Sequence, residues 1–369
     1  MRPLAGRPPA GRPPAGRPPA GRAGAGRGRP SAVGLAAGRA RPSAGRAPAG
    51  HAWPPAGRAR GRLAPDLSCR IGSVALPNPV MCASGTAGHG AELAEYMDLS
   101  LLGAVVVKSL AAFPWAGNPA PRIVAATGGM LNSVGLQGPG VEAWLEAALP
   151  ALLATGARVV ASIWGRTVEE YERAATLLTG TPGVVAVEVN VSCPNLHDDR
   201  RMFAQSPSAT AEALLAAGAC DLPLWAKLSP GASDIVEVAG AALSAGAEAL
   251  TLVNTLPAMA IDPESRSPRL GAGAGGLSGA ALHPVAVRAV FDCRAAFPEA
   301  GIIGVGGVAN GCDAVEMVMA GANAVQVGTA TFADPRAPAK VLAELATWCR
   351  GHDVGSLEEL VGAAQPPRG

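Results

Sequence analysis

The segment Asn190-Val191-Ser192-Cys193-Pro194-Asn195 is where this sequence most plainly offers chemistry. Cys193 follows the apolar run VVAVEV and stands beside a proline, which restricts the backbone before it. A loop cysteine so placed is expected to act as a thiolate, abstracting a proton where nearby cations or dipoles favour its ionisation. The other cysteines, Cys69, Cys82, Cys220, Cys293, Cys312 and Cys349, are scattered and show no CxxC spacing. They read as reduced and mostly buried, not as a disulfide, zinc or iron–sulfur framework, and no metal site is expected.

Cations and glycines supply the next candidates. The only lysines are Lys108, Lys227 and Lys340, and the first two end the apolar runs AVVV and LWA. A lysine ending a buried strand is costly unless something anionic meets it. That partner is either an internal carboxylate or a bound anion. Gly304-Val305-Gly306-Gly307 precedes a helical run, and Gly328-Thr329 closes the last apolar run. Such turns either let backbone N–H groups approach a phosphate or are tight turns with no ligand. Gly271 to Gly279, ending GGLSG, either lies along the same phosphate or forms a mobile loop. Asn132-Ser133-Val134-Gly135-Leu136 opens a polar, turn-rich stretch reaching Gly140. It reads as a substrate loop or as a turn cluster.

These residues need a frame. From Leu67 onward, eight β-rich runs occur: Pro79–Ala83, Ala104–Lys108, Arg158–Ile163, Val184–Asn190, Leu224–Leu228, Ala249–Val253, Ile302–Val305 and Ala324–Val327. Helical periodicity lies between most of them, as in Val168–Leu178, Ala209–Ala217, Ile235–Ala245, Pro284–Ala296 and Ala314–Ala320. Apolar strands alternating with helices imply a parallel sheet covered by helices, and eight units suggest an α/β fold of the (β/α)8 TIM-barrel type. An open doubly wound sheet fits less well, because no G-x-G-x-x-G follows the first strand. In a barrel, chemistry sits just past the strand C-termini. Those positions carry Ser84, Lys108 and Ser109, Ser162, Asn190 to Cys193, Lys227, Asn254 and Thr255, Gly306 and Gly307, then Gly328 and Thr329.

Residues 1–64 differ from residues 65–369. Thirteen of the chain's 30 Lys and Arg precede Leu63, where no acidic residue occurs. The remaining 17 face all 28 acidic residues, a net charge of −11 behind a chain-wide +2. AGRPP repeats at Ala5–Pro9, Ala10–Pro14 and Ala15–Pro19. With so few large apolar side chains, this tail is expected to be disordered. It reads as a non-functional extension rather than as a nucleic-acid-binding arm, since no aromatic residues interleave with the arginines. No apolar stretch is long enough to span a membrane, and the start lacks an apolar signal region, so a cytoplasmic protein is expected.

Together these motifs resemble the class 1 dihydroorotate dehydrogenases, from about Leu67 to Val361. NVSCPN at Asn190–Asn195 resembles the family's catalytic loop, and LNSVGLQGPG at Leu131–Gly140 its orotate loop. VNT at Val253–Thr255, GGLSG at Gly275–Gly279, GVGGV at Gly304–Val308 and VGTA at Val327–Ala330 match in order and spacing. The resemblance implies oxidation of dihydroorotate to orotate in pyrimidine biosynthesis. Cys193 would remove the C5 proton, and a hydride would pass from C6 to N5 of flavin mononucleotide (FMN). Ser84, Lys108, Ser109, Ser162, Asn190, Lys227, Val253, Gly279, Gly306, Gly307, Gly328 and Thr329 would hold the FMN. Lys108, Asn132, Ser133, Val134, Gly135, Leu136, Asn190, Asn254 and Thr255 would hold the substrate.

GLQGPG is similar to the GLQNPG of the NAD-linked subfamily, class 1B. That implies a homodimeric core and a partner subunit bearing FAD and a [2Fe–2S] cluster. Flavoproteins of the dihydropyrimidine dehydrogenase type, acting on uracil or thymine, are the alternative. The sequence departs from the family at LAAFPWAGNP after Ser109, at Gly138 in place of Asn, at Ser162 in place of Asn, and at Trp164 in place of a small residue.

Overall fold

The computed structural model describes residues 64–193 and 202–367. The basic tail, and the part of the Cys193 loop that holds Asn195, lie outside the described residues. Eight short apolar runs form strands: β1 Val80–Cys82, β2 Ala104–Val106, β3 Val159–Ile163, β4 Val184–Asn190, β5 Leu224–Leu228, β6 Ala249–Leu252, β7 Gly301–Val305 and β8 Ala324–Val327. Each pairs in parallel with its sequence neighbours, and β8 returns to β1 through Val325 and Val80. The sheet is therefore a closed barrel, which removes the open doubly wound alternative. All eight runs expected from the sequence are its strands.

The seven longest of the nine α-helices among the described residues are α1 Val141–Ala147, α2 Val168–Thr176, α3 Pro207–Ala217, α4 Ile235–Ser244, α5 His283–Ala296, α6 Gly311–Ala320 and α7 Ala337–Gly351. Their starts follow ordinary capping chemistry. Thr167, Ser206, Asp234 and Asn310 accept N–H groups of the first turns of α2, α3, α4 and α6. Helices α1 and α7 are additions to the expected set.

Because strand side chains alternate between faces, the barrel has two separate cores. Outward residues such as Val105, Val189, Ala226 and Val325 pack under the helices in one continuous cluster. Inward residues Met81, Val106, Val160, Trp225 and Ile303 fill the lower barrel. A hairpin of Cys69–Ile71 and Val74–Leu76 closes that end, burying Ile71, Val74 and Leu76 against the same cluster. One step nearer the strand C-termini the buried interior turns polar, with Ser162, Glu188, Lys227, Thr251 and Gln326.

A second sheet belongs to the C-terminal end, since its strands lie in the insertions after β2 and β6. Its order is Leu256–Ala258, Gly275–Ser278, Gly129–Asn132, Ile123–Ala126, all antiparallel. Gly275–Ser278 of the GGLSG segment is thus a paired strand and not a mobile loop. Pairing sets Gly276 beside Asn132, which joins two segments that are far apart in the chain. No helix among the described residues is long and apolar enough to cross a membrane.

Candidate active site

A hydrogen-bonded row of uncharged side chains crosses the barrel mouth. Ser84 Oγ lies 3.3 Å from Ser109 Oγ, which lies 2.9 Å from Ser162 Oγ. Asn190 Nδ2 donates to Ser109 Oγ at 3.2 Å, and Asn254 Nδ2 donates to Asn190 Oδ1 at 3.1 Å. The Thr255 N–H then donates to Asn254 Oδ1 at 2.9 Å. These residues come from the ends of β1, β2, β3, β4 and β6, so barrel closure alone brings them together. Each amide is oriented by its neighbours, which makes the row a preorganised surface of donors and acceptors.

The two lysines divide their roles. Lys227 has the internal carboxylate partner: its Nζ lies 3.3 Å from Glu188 Oε1 and 3.4 Å from Gln326 Oε1. Gln326 Nε2 donates to Glu188 Oε2 at 2.7 Å. Strands β4 and β8 are on opposite sides of the barrel, so this triad spans the interior just beneath the mouth. Glu188 and Gln326 carry no sequence signal beyond interrupting apolar runs. Lys108 has no such carboxylate among the described residues. Burial holds its ammonium below the ordinary lysine pKa; Lys227 acts in the same direction and Cys193 opposes it. Gly85, at a φ of 87°, lies against Lys108: a Cβ there would sit 3.6 Å from Lys108 Cδ, in ordinary contact.

Cys193 is fully buried among Ala111 and Trp164, with Phe113 and Leu136 packed against them. Burial pushes its thiol up to about 12, while a hydrogen bond from Tyr171 and the charge of Lys108 pull it down. Its Sγ donates to the Asn190 carbonyl at 3.3 Å, and Tyr171 Oη donates to the same carbonyl at 2.8 Å. Leu136, at a φ of 61°, reaches this cluster from the Asn132–Leu136 loop. Asn118 braces that loop, donating from Nδ2 to Ser133 Oγ at 2.9 Å and from its N–H to the Val134 carbonyl at 3.0 Å. Asn132 Nδ2 donates to the Gly276 carbonyl at 3.3 Å.

The glycine turns converge elsewhere on the mouth. Gly307, at a φ of 69°, has no room for a side chain, since a Cβ would lie 2.6 Å from His283 Cβ and 2.9 Å from the Gly279 carbonyl. Gly279, at a φ of 97°, would likewise place a Cβ 2.7 Å from Gly129. Gly306 is anchored through its carbonyl to His283 Nδ1 at 2.8 Å. Thr329 Oγ1 donates to Ser278 Oγ at 2.8 Å beside Gly328. The result is a bare backbone cradle. Val253, buried past β6, is tied by its N–H to the Val305 carbonyl at 2.8 Å.

The family model for dihydroorotate dehydrogenase matches residues 66–348. This chain belongs to the dihydroorotate dehydrogenase family. It is 45% identical over 302 residues to a protein of Geobacter sp. (strain M21), covering 82% of this chain and 99% of that one. It is 48% identical over 295 residues to one of Desulforudis audaxviator (strain MP104C), covering 80% and 96%. A third, from Geobacter sulfurreducens, is 44% identical over 302 residues, covering 82% and 99%. All three relatives are named dihydroorotate dehydrogenase B (NAD(+)), catalytic subunit. The uracil or thymine alternative gains nothing from these comparisons.

Within this dihydroorotate dehydrogenase family member, every expected site residue lies at the barrel mouth or just beneath it. Two features go beyond the motifs. Tyr171, from the middle of α2, reaches the Cys193 loop although nothing in its sequence context marks it. The family departures also gather in one place: Phe113, Trp115 and Trp164 stack edge to face with centroids 6.0–6.1 Å apart. Arg166 lies 4.8 Å from the Phe113 and Trp115 centroids and is held by Glu170. Serine at 162 fits because a hydroxyl suffices to continue the row from Ser109.

Proposed function

We propose that this protein oxidises dihydroorotate to orotate, with FMN held at the barrel mouth and Cys193 as the base. The observation that carries the reading is the Ser84-to-Thr255 row of oriented hydroxyls and amides, which lies between a glycine cradle and a buried thiol. The residues present fit FMN. The backbone around Gly279, Gly306, Gly307, Gly328 and Thr329 suits a phosphate, because four of these five residues carry no side chain. Ser84, Ser109, Ser162, Asn190 and Val253, with Lys108 and Lys227, suit a planar ring with amide edges that becomes anionic on reduction. When bound, FMN supplies the acceptor for the hydride that leaves C6.

Asn132, Asn190, Asn254 and Thr255 offer the paired donors and acceptors that the amides of dihydroorotate require, and Lys108 offers a cation for its carboxylate. Ser133 to Leu136 cover the ring. Ser192 Oγ is buried without a hydrogen-bond partner among the described residues, as expected of a group awaiting a ligand. The Cys193 thiolate takes the C5 proton and becomes the thiol, in a wall of Trp164, Ala111 and Leu136 that excludes water. Residues 65–369 form this catalytic domain and residues 1–64 a basic extension. The names of the relatives, together with GLQGPG, support NAD as the acceptor through a partner subunit carrying FAD and a [2Fe–2S] cluster.

Anaerobic mixing tests the reading. The flavin-loaded protein should lose its visible absorbance with dihydroorotate and keep it with dihydrouracil. Bleaching by dihydrouracil alone would overturn the substrate assignment.

A further inference from the structure

The buried hydroxyl of Tyr171 is not accounted for by substrate or cofactor binding. Three observations fix its place. Its O–H and the Cys193 S–H converge on a single acceptor, the Asn190 carbonyl, at 2.8 and 3.3 Å. Sharing that acceptor keeps the phenol beside the thiol, close enough for Tyr171 to pull the Cys193 pKa down against the effect of burial. Its ring is locked edge to face on Phe203, with centroids 5.3 Å apart, and the Phe203 N–H donates to the Cys193 carbonyl at 3.1 Å. The phenol oxygen is therefore held still while its proton keeps a choice between two acceptors. Among the described residues, the charged groups facing the pair are Lys108, which acts on Cys193, and Glu170, which acts on Tyr171 and is itself paired with Arg166.

We infer that Tyr171 is a positioning residue for the proton-transfer step: its O–H rests on the Asn190 carbonyl while Cys193 is a thiol and turns to Sγ when Cys193 is a thiolate. The inference rests on Cys193 being the base. An S–H donor satisfies the Asn190 carbonyl in the thiol state. A thiolate donates nothing and needs a donor; beside the apolar atoms of Trp164, Ala111 and Leu136, the hydroxyl of Tyr171 already shares the Asn190 carbonyl with Sγ. Tyr171 supplies one without being deprotonated, and burial pushes its own pKa well above the ordinary tyrosine range. The proton balance is simple. The resting thiol gives its proton to solvent before dihydroorotate binds and closes off the wall, the thiolate then takes the C5 proton, and Tyr171 keeps its own throughout.

Tyr171→Phe retains the ring and its packing on Phe203 while removing the donor. In anaerobic single-turnover mixing of the flavin-loaded variant, reduction by dihydroorotate is expected to fall roughly tenfold, as for loss of one hydrogen bond to a charged group. The dissociation constant for orotate should be unchanged. The infrared S–H band of Cys193, identified by its loss in Cys193→Ala, supplies a readout that does not depend on turnover. With Tyr171 gone, the thiol no longer shares the Asn190 carbonyl, so its band should move to lower frequency. Wild-type reduction in Tyr171→Phe with an unmoved band would overturn the role of Tyr171. Wild-type reduction in Cys193→Ala would instead overturn the base assignment on which it rests.

Discussion

The lower and upper halves of the barrel interior are built by the same strands with the same alternation, yet they do opposite things. Along β2, Val106 belongs to the closed lower layer and Lys108, two residues on, to the mouth. Along β3 the step is from Val160 to Ser162, along β5 from Trp225 to Lys227, and along β8 from Ala324 to Gln326. A two-residue step along one face thus exchanges a dry apolar layer for a polar one. The lower layer, plugged by the Cys69–Leu76 hairpin, gains stability by excluding water. The upper layer gives up that gain to hold oriented donors, acceptors and charges, and it stays intact because nearly all of them are satisfied by one another. The barrel is asymmetric in this way because one end must receive a ligand and the other need not.

The largest break in this comparison should come from Cys193→Ala. Flavin reduction by dihydroorotate is expected to slow by about 10²–10⁴-fold, the usual loss for a general base, with the melting temperature little changed. Stopped-flow absorbance and a thermal melt would check both. The raised thiol pKa sharpens the same point. Burial favours the neutral thiol, so in the wild type the thiolate fraction, and kcat/KM with it, should climb as pH rises from neutrality towards about 12. A plateau near the ordinary thiol value would contradict the buried position.

Lys227→Met tests whether the upper layer behaves as a satisfied network. It would leave Glu188 buried and unpaired, which costs about 3–5 kcal/mol on denaturant unfolding. Pairing it with Glu188→Leu should return much of that stability while flavin affinity stays low. If Lys227→Met unfolded at the wild-type denaturant midpoint, the triad would not be coupled. Ile303→Ala probes the lower layer. A loss of about 2–5 kcal/mol is expected from the deleted side chain and the cavity left behind, with the rate of flavin reduction per folded molecule unchanged. A slowed rate at equal folded fraction would mean that the two halves are not separable.

The strands were legible because each is a short apolar run ended by Gly, Ser, Asn or Lys, and the motif residues because their types break those runs. Closure was inferable from their number. Three parts of the site were not legible. Tyr171 looks like any buried helix residue, and only the packing of α2 against the β4 loop turns its hydroxyl towards Cys193. Glu188 and Gln326 read as isolated polar positions until barrel closure places them across from Lys227. The meeting of Asn132 with Gly276 needed a sheet assembled from two insertions.

The sequence by itself determined which chemical groups this protein carries and the period-two placement that sends them inward. Those properties are local, set by side-chain type and strand geometry. Only the tertiary structure decided which groups face each other, because contacts between residues scores of positions apart depend on how the strands close and where their loops return. That is why Lys227 is found paired with a carboxylate, why Lys108 acts on Cys193 instead, and why a tyrosine on an outer helix stands beside the thiol.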